Sequence, residues 1–215
     1  GLAAAAAPAE RLAALTNFLF AEQGFHGSRL DYDNRANSYL DQVLDDREGL
    51  PITLSILVIE LGRRIGLTNL AGLSLPGHFM VRVNGGSNAP VFLDAFDGGR
   101  ILSRAEVSQR VLSYTGAPLR EDQLQPASKR EILIRMLRNL LNLANRNSAN
   151  TEALRYLDVI VALAPESALD RLARASLRLQ TGDTAGAKAD FQWLLDHKPP
   201  GLDLKRIEQL RQSLF

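Results

Sequence analysis

Apolar positions along the first 126 residues change period several times, from helical spacing to strict alternation and back. Pro8 stands just inside a helix whose apolar face is Leu12, Leu15, Phe18 and Leu19, and Gly24 ends it. Asp31 to Ser38 (DYDNRANS) reads as a polar loop leading into a short helix, Tyr39 to Leu44. A further helix opens at Pro51 and runs to about Ile65, with Ile52, Ile56, Ile59 and Leu57 as its buried stripe and Gly66 as its stop. Strand-like runs follow at Leu70–Leu75, His78–Val83 and Val91–Phe96, the last two flanking Asn84-Gly85-Gly86-Ser87-Asn88 as a hairpin loop. A helix from Ser103 to about Tyr114 closes this part, which is therefore α+β.

After Ser128 the alternating pattern is gone and a longer period takes over. Pro165 and Pro199 lie 34 residues apart, and at the same offset Ala153 matches Ala187, Leu157 matches Phe191 and Leu143 matches Leu177. A 34-residue period of paired helices is the tetratricopeptide signature: small residues let two helices approach, and a proline closes each unit. Leu204, Ile207, Leu210 and Leu214 mark a capping helix; a plain helical hairpin bundle is the competing reading. The prolines and polar residues of 117–128 (APLREDQLQPAS) place the domain cut, giving a core over about 10–116 and a helical array over 128–215.

Composition narrows the chemistry. The 215 residues carry no cysteine, which excludes disulfides, thiolate metal sites and a cysteine nucleophile. A formal net charge of +1 supplies no global field for nucleic acid or anionic lipid. The charge is unevenly split, with 14 acidic and 11 basic residues up to Pro126 and 10 and 14 after it. The uncharged hydrophobic stretch Gly49 to Ile59 is too short to span a bilayer, and the opening GLAAAAAPAE has no basic n-region of a signal peptide. A cytoplasmic location is expected. His26 and His197 have no partners at metal-ligand spacing, and three histidines with scattered acids make a poor metal candidate, so neither metal nor cofactor is expected.

Three segments in order resemble a transglutaminase-like, papain-like core: the helix start Gly49-Leu50-Pro51-Ile52-Thr53-Leu54-Ser55 running to Arg63-Arg64-Ile65-Gly66-Leu67, the strand start Pro76-Gly77-His78-Phe79, and Phe92-Leu93-Asp94-Ala95-Phe96. The resemblance implies a cysteine at the helix N-terminus, a histidine beginning a strand and an aspartate on the next strand. The helix dipole and imidazolium stabilise the thiolate, and the carboxylate orients the imidazole. His78 and Asp94 match, but counting back from Gly66 puts Pro51 at the cysteine position. The run Asn37-Ser38-Tyr39, the Leu50-Pro51-Ile52-Thr53 start and the PGHF motif resemble more narrowly a bacterial family, the second core subfamily, that joins this core to tetratricopeptide repeats and has sometimes been labelled invasion-gene regulator. Its members carry a further helical segment before the point at which this chain begins.

The hairpin supports the dyad independently. Val83 opposite Val91 sets His78 diagonal to Asp94, with 78, 80, 82, 92, 94 and 96 on one face. Ser55, one turn beyond Pro51 and about 6 Å along the axis, is a weak substitute nucleophile; its bland reading is a serine bonded back to a helix carbonyl. Tyr32, Asp33, Asn34, Arg35 and Asn37 form a polar loop that either walls the pocket or holds its own shape through Asx turns. Arg171, Arg174 and Arg178, at i, i+3 and i+7, form a basic stripe: a solvated helix face or a contact for an acidic peptide. Asp97-Gly98-Gly99-Arg100 reads as a tight turn. Two function classes stay open. One is a non-catalytic protein- or peptide-binding and regulatory module. The other is a hydrolase or acyl-transfer enzyme that uses His78 and Asp94 with a serine or water nucleophile. A protein or peptide partner is expected, and direct nucleic-acid or membrane binding is not.

Overall fold

The computed structural model describes residues 7–85 and 88–214, with the backbone alone at 85, 88 and 89. The chain divides into two compact units between Ile132 and Leu133.

In the first unit α1 (Pro8–Thr16) starts on a proline at N1 and continues into a π-helical turn, Asn17–Glu22, before Gly24 at φ 74°. The wider turn keeps Leu19 buried but leaves Phe18 exposed, correcting the expected apolar face. Two short strands, β1 (His26–Gly27) and β2 (Glu48–Gly49), pair in parallel around the loop and α2 (Leu40–Asp46). Within that loop Arg35–Ser38 forms a 3₁₀ turn.

α3 (Pro51–Arg64) is enclosed on more than one side at its start. Pro51, Ile52, Thr53, Leu54 and Ser55 are all buried, and Val58 and Gly62 continue the inward face. Ile56, Leu57 and Ile59, expected in the buried stripe, are only half-buried. A helix end wedged between loop and sheet buries its whole circumference, so periodicity alone misplaces the stripe.

Four antiparallel strands follow in sequential order: β3 (Leu70–Leu75), β4 (His78–Gly85), β5 (Asn88–Asp94) and β6 (Arg100–Leu102). Val83 pairs with Val91, the expected register. Gly86 and Ser87 of the expected hairpin loop lie outside the described residues. One sheet face (Val81, Val83, Leu93) packs on α1 and α3 through Leu15, Leu54 and Val58. The other face (Leu73, Met80, Phe92, Leu102) packs on Val107 and Val111 of α4 (Arg104–Thr115) and on Leu124. Ser103 caps α4 reciprocally with Glu106, and Gly116 ends it at φ 68°. The segment 117–128 is held against the sheet: Glu121–Leu124 forms a 3₁₀ turn, and the Leu124 and Gly72 carbonyls accept from Arg82 (2.6 Å) and from the Ala127 amide (2.8 Å).

α5 (Lys129–Arg146) crosses the division between the units. The second unit is then all helical: α6 (Asn150–Leu163), α7 (Ala168–Gln180), α8 (Thr184–His197) and α9 (Leu204–Gln212). The bounds of α6 and α8 differ by 34 residues at both ends. Ala153 and Ala187 are fully buried at the matched positions, and Leu157 and Phe191 are buried beside them. No helix among the described residues is long and apolar enough to cross a membrane.

Candidate functional site

The site is built where β4 begins, β5 ends and α3 starts. Pro76 and Gly77 turn β3 into β4, with Gly77 at φ 74°, and His78 is the first residue out of that turn. The start of α3 is pinned from the loop: the Asn37 carbonyl accepts from the Leu50 amide (3.3 Å) and from the Thr53 hydroxyl (2.9 Å). Pro51 takes the N1 position, where a helix needs no N–H donor.

His78 Nε2 lies 2.9 Å from Asp94 Oδ1, with His78 7% exposed and Asp94 0%. The same oxygen accepts from the Phe96 amide (3.1 Å) and the Asp97 amide (3.3 Å), and Oδ2 accepts from Arg110 Nη1. Burial alone would raise the Asp94 pKa. The hydrogen bond and charge of His78, the charge of Arg110 and the Asp97 amide outweigh it and hold the carboxyl below its ordinary value. Four donors on an ionised carboxylate assign the ring hydrogen to Nε2, because the carboxylate has none to give. Nδ1 is then the free ring nitrogen, with no partner among the described residues.

The dyad opens into a cleft of about 570 Å³ that also holds Pro51, Arg29, Tyr32, Phe96, Asp97, Arg110 and Tyr114. Phe96 packs edge-on to both His78 and Tyr32. Arg29 lies over the Phe96 ring at 5.2 Å and pairs with Asp97 at 2.9 Å. Proline thus stands at the helix start beside a histidine–aspartate pair. Comparison with known families finds a transglutaminase-like superfamily model matching residues 2–138 and a tetratricopeptide-repeat model matching residues 140–212.

The chain belongs to the transglutaminase-like superfamily.

Relatives align over most of the chain. A UPF0162 protein of Xylella fastidiosa (strain 9a5c) is 36% identical over 194 residues, 88% of this chain and 68% of its own length. A UPF0162 protein of Vibrio cholerae is 29% identical over 202 residues, 92% and 74% of the two chains. F-box only protein 21 of Homo sapiens is 30% identical over 181 residues, 80% of this chain but 28% of that protein. No solved structure matches. The chain joins a transglutaminase-like core to tetratricopeptide repeats, modules that mediate protein–protein contact, and it lacks the superfamily's cysteine altogether.

The other expected site residues separate. Ser55 is fully buried, is not a cleft residue, and its Oγ has no hydrogen-bond partner among the described residues, so it is not bonded to His78. The bland reading, a bond back to a helix carbonyl, fails with it. Of the loop, Tyr32 walls the cleft. Asn34 caps the 3₁₀ turn through the Ala36 amide (3.0 Å). Asn37 is buried and donates to the Asp31 carbonyl (2.7 Å), and Arg35 borders a separate depression with Tyr39 and Gln42. These three give the loop its shape and are no wall of the cleft. The expected turn at 97–100 forms, with Gly98 and Gly99 both at positive φ, and it carries Asp97 into the cleft.

The arginine stripe is neither a solvated face nor a free basic surface. Asp190 of α8, 2% exposed, accepts from Arg171 (3.3 Å), from Arg174 (2.6 and 2.9 Å) and from Arg178 (2.9 Å). Asp158 of α6 accepts from Arg174 and Arg178 at 3.0 Å each. Burial would lower the Arg174 pKa, but Asp190 and then Asp158 raise it. At the 34-residue offset these arginines replace Leu137, Leu140 and Ala144 of α5, so an apolar seam in one helical pair is an ionic seam in the next. Arg110 and Arg29 went unrecognised in the sequence. Their neighbours carry no motif, and only the Val107–Val111 spacing on α4 hints that Arg110 sits beside an inward face.

Proposed function

We propose that this protein is a non-catalytic, cytoplasmic binding and regulatory module, in which the repeats engage a partner protein or peptide and the core cleft is a residual binding site. The observation carrying this reading is Pro51 at the helix start beside an intact His78–Asp94 pair, in a chain without cysteine. The buried hydroxyl of Ser55, unbonded to His78, supports it. The human relative, where the matching region is 28% of a longer protein, supports a unit that works attached to others.

A second reading keeps one specific observation: the free Nδ1 of His78 in an open cleft suits a general base acting on water. Incubating the full chain with p-nitrophenyl acetate, and with casein plus a fluorescent primary amine, separates the two. No turnover above background is expected. Turnover abolished by both His78→Ala and Asp94→Asn makes the protein an enzyme and ends the non-catalytic reading.

A further inference from the structure

The cleft has more hydrogen-bond donors than acceptors. Asp94 is saturated by four donors, and Asp97 is engaged by Arg29 (2.9 Å) and, more distantly, by Arg100 (3.9 Å). Arg29 uses one of its five N–H groups, on Asp97, and Arg110 uses one, on Asp94; neither has another hydrogen-bond partner among the described residues. Both guanidiniums border the cleft, Arg110 at 28% exposure. The 14-residue α3 begins at the same cleft, with the positive end of its dipole at Pro51. His78, more than nine-tenths buried, has an unpartnered ring nitrogen there.

Spare planar donors, a helix N-terminus and a histidine able to take a proton together call for an acceptor-only, negatively charged group. Planar guanidinium forks match a carboxylate. The volume of about 570 Å³ and the rings of Tyr32, Phe96 and Tyr114 leave room for an organic body behind it. We propose that the cleft binds a carboxylate, held by Arg29 and Arg110, with His78 taking up one proton at Nδ1 as the anion enters. The charged and titratable groups facing His78 are Asp94 on β5, Asp97 on the following turn, Arg110 and Tyr114 on α4, and Arg29 and Tyr32 on the segment after β1. With Asp94 fixed on Nε2, the bound carboxylate faces an N–H only when the imidazole is protonated. Because binding takes up a proton, carboxylate affinity falls as pH rises.

This inference names the ligand of the cleft in the binding reading above, and the test keeps the two apart. Calorimetric titration of the full chain in buffers of different ionisation enthalpy would use N-acetyl-phenylalanine, its amide, N-acetyl-aspartic acid α-amide and inorganic phosphate. Binding of either carboxylate with uptake of about one proton, and none of the neutral amide, is expected. The better-bound carboxylate tells a chain terminus from an acidic side chain. Arg29→Gln, on an exposed side chain, weakens binding about tenfold or more while the His78 ¹⁵N resonances of the unliganded protein stay in place. Equal binding of the amide, binding of phosphate alone, no carboxylate binding up to about 10 mM, or full affinity in Arg29→Gln overturns the carboxylate site. Those failures leave the absence of turnover untouched, whereas turnover dependent on His78 sinks the non-catalytic reading without removing the site.

Discussion

Placing a thiol at position 51 tests whether the cleft still holds the electrostatics of a thiolate site. Pro51→Cys puts the only sulfhydryl of the chain at N1 of α3, in the same cleft as the free nitrogen of His78. The helix terminus contributes about 0.3–1 kcal/mol in favour of the anion. For a thiolate–imidazolium separation of about 4 Å, with the thiol proton passed to His78, the ion pair would add about 4 kcal/mol at an effective dielectric near 20, part of which desolvation of the thiolate takes back. A net of about 2.7 kcal/mol corresponds to about two pKa units, from about 8.5 to about 6.5. At pH 7 the thiolate fraction then rises from about 3% to about 75%, roughly 25-fold. The pH profile of iodoacetamide alkylation reads this directly, because no other cysteine contributes. The double variant with His78→Ala returns most of the shift. Losing proline at N1 costs about 0.4–1 kcal/mol of folding stability, visible in the denaturation midpoint. An alkylation pKa of 8 or above in a folded variant, or one indifferent to His78→Ala, would refute the claim that the dyad and helix are preorganised.

Two further predictions concern stability. Asp190→Ala removes the buried carboxylate shared by three guanidiniums, leaving Arg174 and Arg178 with Asp158 and Arg171 with the Pro165 carbonyl, and lowers stability by about 3–5 kcal/mol in urea unfolding; a loss under about 1 kcal/mol would show that the ionic seam is incidental. For Asp94 the folded pKa lies below the unfolded value near 3.9, so its contribution is complete above that value and is lost as pH falls through the lower, folded one. The Asp94 carboxyl ¹³C resonance should accordingly titrate below about pH 3.9, and Asp94→Asn should flatten the acid limb of the stability curve; titration at or above pH 4.5 contradicts the four-donor geometry.

The extent to which the fold was legible follows from how far each feature repeats. The β4–β5 register came from alternation over two strands, and Val83 does pair with Val91. The repeat came from a period long enough to recur, and α6 and α8 reproduce it at both ends. Two-residue strands such as β1 and β2 have no period to read. The π-helical turn at Asn17–Glu22 looks like ordinary helix in sequence, which is why Phe18 was assigned inward. At the site, the dyad was readable because a hairpin relates its two members. Arg110 was not, because helix periodicity gives the direction of a side chain and not what a long guanidinium reaches. The arginine stripe at 171, 174 and 178 looked like surface because its carboxylates sit on two other helices.

Asp94 also bears on how such a protein changes over evolutionary time. One carboxylate ties the first residue of β4, the chain leaving β5 and helix α4 into a single joint. The residue at 51 holds no such joint; proline serves there as a sound helix start. Once a reaction ceases to matter, drift is therefore free to erase the nucleophile while selection for folding alone keeps the histidine's partner in place. The architecture's dependence on such a pair is by itself enough to preserve it, whether or not turnover survives.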